Sequence, residues 1–339
     1  MSLPLEGSWS TASRLDEGQV RPPDLVGTPA AVDELTTRGP LRGRLRPAAA
    51  HVVTGAPPSR QRRRGPGRPR SVPIPRPDQG PERSLAERSL ALRRLVLEVA
   101  HQARVGHIAS CLSIADILTA AFAVMDPDHD TFVLSKGHAA LALYACLHQR
   151  NLISRADLFS YCSDNSLFSV HPDHHIPGVR FTTGSLGYGL AYAVGVSLAQ
   201  RIGAKPGRAI AVLSDAEVNE GSVWESIMFA GHHRLPVTAI VDVNGQQALG
   251  RTREVLDLAP LAPKLAAFGW SVRDVDGHDP GLILAALRPD AVPGPVAVLA
   301  RTVAGRGVTF MEGRVEWHYW PLNDTQLAQA LADLDRPAR

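Results

Sequence analysis

Asp215 and Asn244 each follow a short apolar run that reads as a β-strand, and the residues between those runs have helical periodicity. From Arg208 to Gly250 the order is strand (Ala209–Leu213), Ser214-Asp215-Ala216-Glu217, helix, strand (Thr238–Val243), then Asn244-Gly245-Gln246-Gln247. A strand–helix–strand unit crosses over right-handed and lays its two strands parallel. Both side chains then project from one sheet edge, at the carboxyl ends of the strands, where open α/β sheets bind ligands. A carboxylate, an amide oxygen and nearby backbone carbonyls are hard ligands suited to Mg2+, which keeps coordination positions for a diphosphate. Backbone N–H groups opening the helix after Asp215 would face that anion. Taken singly, the Asp fits a helix cap and the Asn-Gly pair fits a turn. Their joint placement across one crossover unit favours a magnesium–diphosphate site, without naming the molecule that carries the diphosphate.

The elements that must position these residues begin near Ser84. Ser84 to Arg104 reads as an amphipathic helix carrying Leu92, Leu95, Val96 and Val99, and Ser113 to Met125 as a second helix with Ser113 and Asp116 as N-terminal caps. Strands are predicted at Phe132–Leu134, Ala209–Leu213, Thr238–Val243, Trp270–Val275 and Val296–Val303. Helices are predicted at Ala139–Gln149, Tyr188–Arg201 and Gly221–His233, the last burying Trp224, Ile227, Met228 and Ala230. Such alternation predicts an α/β domain from Ser84 to Asp335, a parallel sheet flanked by helices on both faces. Residues 1–82 are rich in Pro, Gly, Arg and Ala without apolar periodicity, the composition of a disordered tail or of an upstream stretch included by a mis-assigned start. Gly67-Arg68-Pro69 within it resembles a minor-groove-binding arm, but short basic matches arise by chance, so nucleic acid is not the expected partner.

Bulk composition narrows the class. The chain of 339 residues is 44% hydrophobic and 20% charged with a formal net charge of +3, which gives no global field toward nucleic acid or membrane. Three cysteines without CxxC spacing, no membrane-length apolar run and no secretory signal pattern point to a reducing compartment, the cytoplasm.

Several motifs carry a resemblance to a known family. Ser214-Asp215-Ala216, then Glu220-Gly221-Ser222-Val223-Trp224-Glu225, then Asp242-Val243-Asn244 resemble the transketolase pattern Gly-Asp-Gly, Glu-Gly-x-x-Trp-Glu and a strand ending in Asn. Gly106-His107-Ile108-Ala109, Ser135-Lys136-Gly137-His138, His171-Pro172 and Thr183-Gly184-Ser185-Leu186-Gly187-Tyr188-Gly189 are similar to further family segments. Thr302 to Val308 and Glu316-Trp317-His318 look like the stand-alone N-terminal-subunit version of the fold. The departures are Ser214 and Ala216 for glycines, Ala109 for a glycine, Tyr188 for Gln, and Tyr319 for the glycine after the last His.

The resemblance implies a thiamine-diphosphate-binding fold, diphosphate-binding domain only. It implies Mg2+ on Asp215, Asn244 and the Gln246 carbonyl, and thiamine diphosphate against His138, Gly184, Leu186, Asp215, Ala216, Glu217 and Asn244. His107, His171 and His318 are the implied catalytic residues, facing substrate as proton carriers. Glu220 is placed at a subunit interface, and His174 and His175 are read as loop residues because their spacing matches no zinc pattern. The implied reaction moves a two-carbon ketol unit from a sugar-type ketose to an aldehyde acceptor, a transferase activity. In the family the glutamate that activates the aminopyrimidine lies in a second, pyrimidine-binding domain. The expectation is therefore a C-terminal partner subunit in an α2β2 assembly. A subunit of another thiamine enzyme (2-oxo-acid dehydrogenase or deoxyxylulose-phosphate-synthase-like) and a non-catalytic cofactor-binding subunit stay open as alternatives.

Overall fold

The computed structural model describes residues 84–289 and 294–336, so the expected tail over residues 1–82 lies outside the described residues. In chain order the elements are α1 (Leu85–Ala103), α2 (Ile108–Ser113), α3 (Ala115–Val124), β1 (Thr131–Leu134), α4 (Ala140–Gln149), α5 (Arg155–Phe159) and α6 (Tyr188–Ile202). Next come β2 (Ala209–Ser214), α7 (Gly221–His233), β3 (Val237–Val243), β4 (Gln246–Gln247), β5 (Gly250–Arg251), α8 (Thr252–Val255) and α9 (Leu261–Ala267). The chain continues through β6 (Ser271–Asp276), α10 (Pro280–Ala286), β7 (Val296–Arg301) and α11 (Asp324–Leu334).

The five longer strands form one all-parallel sheet in the order β1-β2-β3-β7-β6, and β4 and β5 make a small antiparallel hairpin. Alternating residues of the central strands explain why both faces are covered. Ile210, Val212, Ile240 and Val298 pack on one side with Leu92, Val96, Ile117 and Leu141 of α1, α3 and α4. Ala211, Leu213, Val241 and Leu299 pack on the other with Leu190, Val223, Ile227 and Leu265 of α6, α7 and α9. Strands apolar on both faces are what a parallel sheet between two helix layers requires. In register, Ser214 of β2 lies beside Asp242 of β3, so the next residues of both strands emerge at the same edge.

Local chemistry accounts for the helix limits. Ser84 caps α1 in a reciprocal box, with Ser84 Oγ accepting from the Glu87 N–H at 3.2 Å and the Glu87 carboxylate accepting from the Ser84 N–H at 2.7 Å. The second predicted helix is α3, which starts two residues later and ends one residue earlier than expected, and neither expected cap caps. Ser113 is the last residue of α2 and donates its hydroxyl to Asp242 Oδ2 at 2.8 Å. Asp116 lies in the first turn of α3 but is bonded to Arg93 Nη1 at 3.2 Å and to His278 Nδ1 at 3.1 Å. Long-range ionic partners outcompete local capping at both positions. Met228 also departs from expectation. It is 54% exposed, because Val223, Ile227 and Ala230 already define the inward stripe of α7 and Met228 falls off it. Among the described residues no helix is long and apolar enough to cross a membrane.

Candidate active site

Asp215 follows β2 and Asn244 follows β3 at the carboxyl edge of the sheet, and their surroundings leave oxygen lone pairs to spare. Asp215 Oδ1 accepts from the Ala216 N–H at 2.9 Å, while Oδ2 accepts from the Gly245 N–H at 2.8 Å and the Thr252 hydroxyl at 3.1 Å. An ionised carboxylate has about four acceptor positions, so one stays free. Asn244 Oδ1 accepts one bond, from the Gln246 N–H at 2.9 Å, and keeps its second lone pair. Burial, and then the charge of Asp242, push the Asp215 carboxyl up to about 6 despite its three hydrogen-bond donors. An anion so disfavoured gains from a cation at its open oxygen. The residues present therefore fit Mg2+.

A cavity of about 250 Å³ opens over this edge, lined among others by Lys136, His138, Leu186, Asn244, Gln246 and His318. Ala216 lines it as well, and Leu249, 82% exposed at the tip of the β4–β5 hairpin, forms part of its rim. The expected fan of free N–H groups does not form after Asp215. A 3-10 turn, Ala216–Asn219, intervenes before α7, and the Ala216 and Glu217 N–H groups are taken by the Asp215 and Ser214 side chains.

The histidines converge beside this sheet edge. The ring centroids of His107 and His318 lie 5.0 Å apart, those of His138 and His318 5.4 Å, and those of His107 and His138 5.7 Å. His107 comes from the cap of α2, with φ at +61°, and its N–H donates to the His318 carbonyl at 3.0 Å. A Cβ on Gly106 would run into the Tyr319 carbonyl, so only glycine lets these two chain segments approach. His171 is near enough for its charge to act on His107 and His138, and its ring packs against Gly184, where a Cβ would come within 3.4 Å. Burial lowers all four imidazoles. His318 is pushed down to about 4 by burial, then by His107 and Lys136, and His138 lies well below its ordinary value by burial first and Lys136 next. Burial lowers His171 too, and His107 with added repulsion from His171 and Lys136. These rings are therefore neutral near pH 7, each able to accept a proton at one nitrogen and donate at the other. His107 Nδ1 is buried with no hydrogen-bond partner, a group that a ligand hydroxyl would satisfy.

Glu217, expected at the cofactor, faces inward. Its carboxylate accepts from the Ser135 hydroxyl, from the Gly187 N–H at 2.8 Å and from the Ser214 N–H at 3.3 Å. It joins the loop bearing His138, the loop bearing Leu186 and the end of β2, and is not among the residues lining the cavity. The loop residues Asp173, His174 and His175 bring one ligand atom each within 4.8 Å of one another. Their side chains lie at the surface, with Asp173 Oδ1 bonded to His175 Nδ1 at 2.6 Å and His174 Nδ1 to Thr182 Oγ1 at 2.8 Å.

Two residues with no role in the expected site stand at its centre. Lys136 and Asp242 are both fully buried, and Lys136 Nζ donates to Asp242 Oδ2 at 2.6 Å and to the Ser110 carbonyl at 3.3 Å. The signal was present in the sequence: Asp242 interrupts an otherwise apolar strand, and Lys136 is a rare lysine in an arginine-rich chain.

Residues 86–335 match the family profile described as transketolase, thiamine diphosphate binding domain. A transketolase family protein of Sinorhizobium fredii is 37% identical over 266 residues, covering 74% of this chain and 95% of that protein. The 6-deoxy-6-sulfo-D-fructose transketolase subunit of a Clostridium species is 35% identical over 265 residues, covering 74% of this chain and 96% of that subunit. Mouse transketolase is 34% identical over 275 residues, and the match spans 43% of it. The solved transketolase of Campylobacter jejuni superposes with a TM-score of 0.69 at 27% identity, covering 74% of this chain and 42% of that one. By profile, relatives and fold, this chain belongs to the transketolase family, as its thiamine-diphosphate-binding domain.

Proposed function

We propose that this chain is the cation- and diphosphate-binding subunit of a two-chain transketolase, transferring a two-carbon ketol unit from a sugar-type ketose to an aldehyde acceptor. The observation that carries the reading is the pairing of Asp215 and Asn244 at neighbouring parallel strand tips, beside a cluster of half-buried neutral imidazoles. Asp215, Asn244 and the Gln246 carbonyl hold Mg2+, and the cavity edge from Leu186 to Ala216 receives the diphosphate of the cofactor. Bound thiamine diphosphate supplies the carbon nucleophile and electron sink that ketol transfer needs. His138 donates to the diphosphate end. His107, His171 and His318 orient the substrate oxygens and pass protons at the carbonyl and hydroxyl where charge develops. Neutral imidazoles are matched to that work, since each can donate and accept without first losing a proton to solvent.

Partner dependence is supported by lengths: the chain covers nearly all of relatives named as subunits, but about two fifths of undivided transketolases. A C-terminal pyrimidine-binding subunit completes the site, in an α2β2 assembly. The test is to purify this chain, the product of the adjacent gene, and the mixture, and to assay ketol transfer with Mg2+ and thiamine diphosphate. Turnover only in the mixture is expected. Robust turnover by this chain alone refutes the two-chain reading, and calorimetry showing no Mg2+-dependent cofactor binding in the mixture refutes the cofactor reading.

A further inference from the structure

We propose that Asp242, charge-paired with Lys136, is the positioning residue that turns the Asn244 amide so that its oxygen, not its nitrogen, faces the cation site. The inference rests on the proposed cation-binding role of Asp215 and Asn244 and adds what sets their geometry. An asparagine amide can sit either way round, and only one way offers a metal an acceptor. Here Asn244 Nδ2 donates to Asp242 Oδ2 at 3.0 Å, which fixes the choice. Asp242 is itself locked by donors alone: Lys136 Nζ at 2.6 Å and Ser113 Oγ at 2.8 Å on Oδ2, and the Thr302 hydroxyl on Oδ1. A carboxylate surrounded by donors cannot donate, so the amide that meets it must present its NH2. With Nδ2 held inward, Oδ1 is left toward Gln246 and the cavity.

Asp242 reaches the other metal-binding residue through its backbone, because its carbonyl accepts from the Asp215 N–H at 3.1 Å. One residue therefore holds both strand tips. Lys136 extends the same hub outward. It precedes Gly137-His138 in sequence and bonds the Ser110 carbonyl of α2, the helix that His107 caps. The cation edge and two of the clustered histidines thus share one fully buried ion pair, with no side-chain exposure at either partner. Asp242 is not a ligand in this arrangement, since four protein donors meet its four acceptor positions, whereas Asp215 meets three and keeps one open. Residues that orient metal ligands from behind cost about 10–100-fold in metal affinity when replaced.

The full-length chain is titrated with Mn2+ in the presence of thiamine diphosphate, following free Mn2+ by electron paramagnetic resonance, with a melting curve for each variant. Asp242→Asn is expected to weaken Mn2+ binding about 10–100-fold. Combining Asp242→Asn with Asn244→Asp keeps one carboxylate beside Lys136 and removes the need for orientation, since a carboxylate presents an acceptor outward whichever way it turns, so affinity is expected to recover to within about fivefold of the starting protein. Ser113→Ala removes a donor to Asp242 without touching the Asn244 bond, and is expected to lower the melting temperature while leaving Mn2+ affinity within about threefold. A merely structural role predicts instead that affinity follows melting temperature across the series, with no recovery in the exchanged pair; that pattern, or undiminished binding by a folded Asp242→Asn chain, overturns the proposal. If the single variant does not fold, the exchanged pair decides, and failure of that folded pair to bind overturns it. In the unaltered chain, the Asn244 side-chain NH2 resonances are expected to exchange slowly with solvent even without metal; fast exchange overturns the assignment. Failure of the unaltered chain to bind Mn2+, both alone and mixed with its partner subunit, would sink the cation-site reading itself, a separate result from equal binding by Asp242→Asn.

Discussion

With no cation at the proposed site, the Asp215 carboxylate works against the fold, so removing its charge should stabilise the cation-free protein. Burial and the neighbouring Asp242 charge lift its carboxyl from 3.8 to about 6, a displacement equivalent to ~3 kcal/mol of folding free energy at neutral pH. The native state holds this proton more tightly than the unfolded chain does. In EDTA, stability is therefore highest when Asp215 is protonated, and this contribution is lost as pH rises from about 4 through about 6. Asp215→Asn abolishes that dependence. The new amide can still accept from Gly245 N–H, but its NH2 then faces the Ala216 N–H, and the lost bond costs ~1 kcal/mol. The net gain is ~2 kcal/mol at pH 7, or ~4–8 °C in Tm for a domain of this size. With Mg2+ and thiamine diphosphate at about 100 times the dissociation constant the order reverses, because the unaltered chain gains ~2.7 kcal/mol and the variant little. Melting curves at pH 4.5 and pH 7, with EDTA or with Mg2+ and cofactor, check both halves. A variant that melts below the unaltered chain in EDTA at pH 7, or that gains the same increment from Mg2+, refutes the reasoning.

Asp116 behaves in the opposite sense. Burial alone would raise its carboxyl, but His278 and Arg93 hold it down to about 2, so its contribution is present above about 4 and lost as pH falls toward 2; Asp116→Asn should cost ~2–3 kcal/mol at pH 7 and flatten the acid limb of the stability curve measured by urea melts. His318→Ala should lower kcat/KM of the assembled enzyme about 10²–10⁴-fold in a ketol-transfer assay, with little change in Tm. Because burial pushes His318 down to about 4, the rate of the unaltered enzyme should show no step between pH 6 and pH 8 from this ring. Gly189→Ala would place a methyl against Ser135, the residue that holds Glu217, and should destabilise by ~1–3 kcal/mol and weaken cofactor binding in calorimetry.

Strands β2, β3 and β7 were legible because a strand buried on both faces leaves an almost unbroken apolar run, whereas the edge strand β6 is partly exposed and carries Arg273, Asp274 and Asp276; each predicted strand lies within two residues of an observed one. Local reasoning failed where long-range partners decided. Ser113 and Asp116 look like caps in sequence, yet one is claimed by Asp242 and the other by Arg93 and His278, more than twenty positions away in each case. Met228 reads as part of the buried stripe of α7 because it is apolar, but apolar residues at the surface are common. Glu217 shares the loop of Asp215 but points the other way, which spacing alone does not reveal. The meeting of His107 and His138 with His318 depends on segments far apart in the chain, so only the family resemblance brought them together before the fold did.

The replacement of two family glycines bears on whether the site still works. Neither Ser214 nor Ala216 occupies the left-handed backbone region, so the conformation itself does not demand glycine at either position. Ser214 instead adds a bond, its hydroxyl accepting from the Glu217 N–H at 3.1 Å, and the Ala216 N–H is held by Asp215 Oδ1 at 2.9 Å. Both contacts tighten the turn that presents Asp215. The departures therefore alter how the loop is held while Asn244 and Gln246 still line the cavity, and rigidity at the proposed cation site would favour binding because the ordering entropy has already been spent on folding.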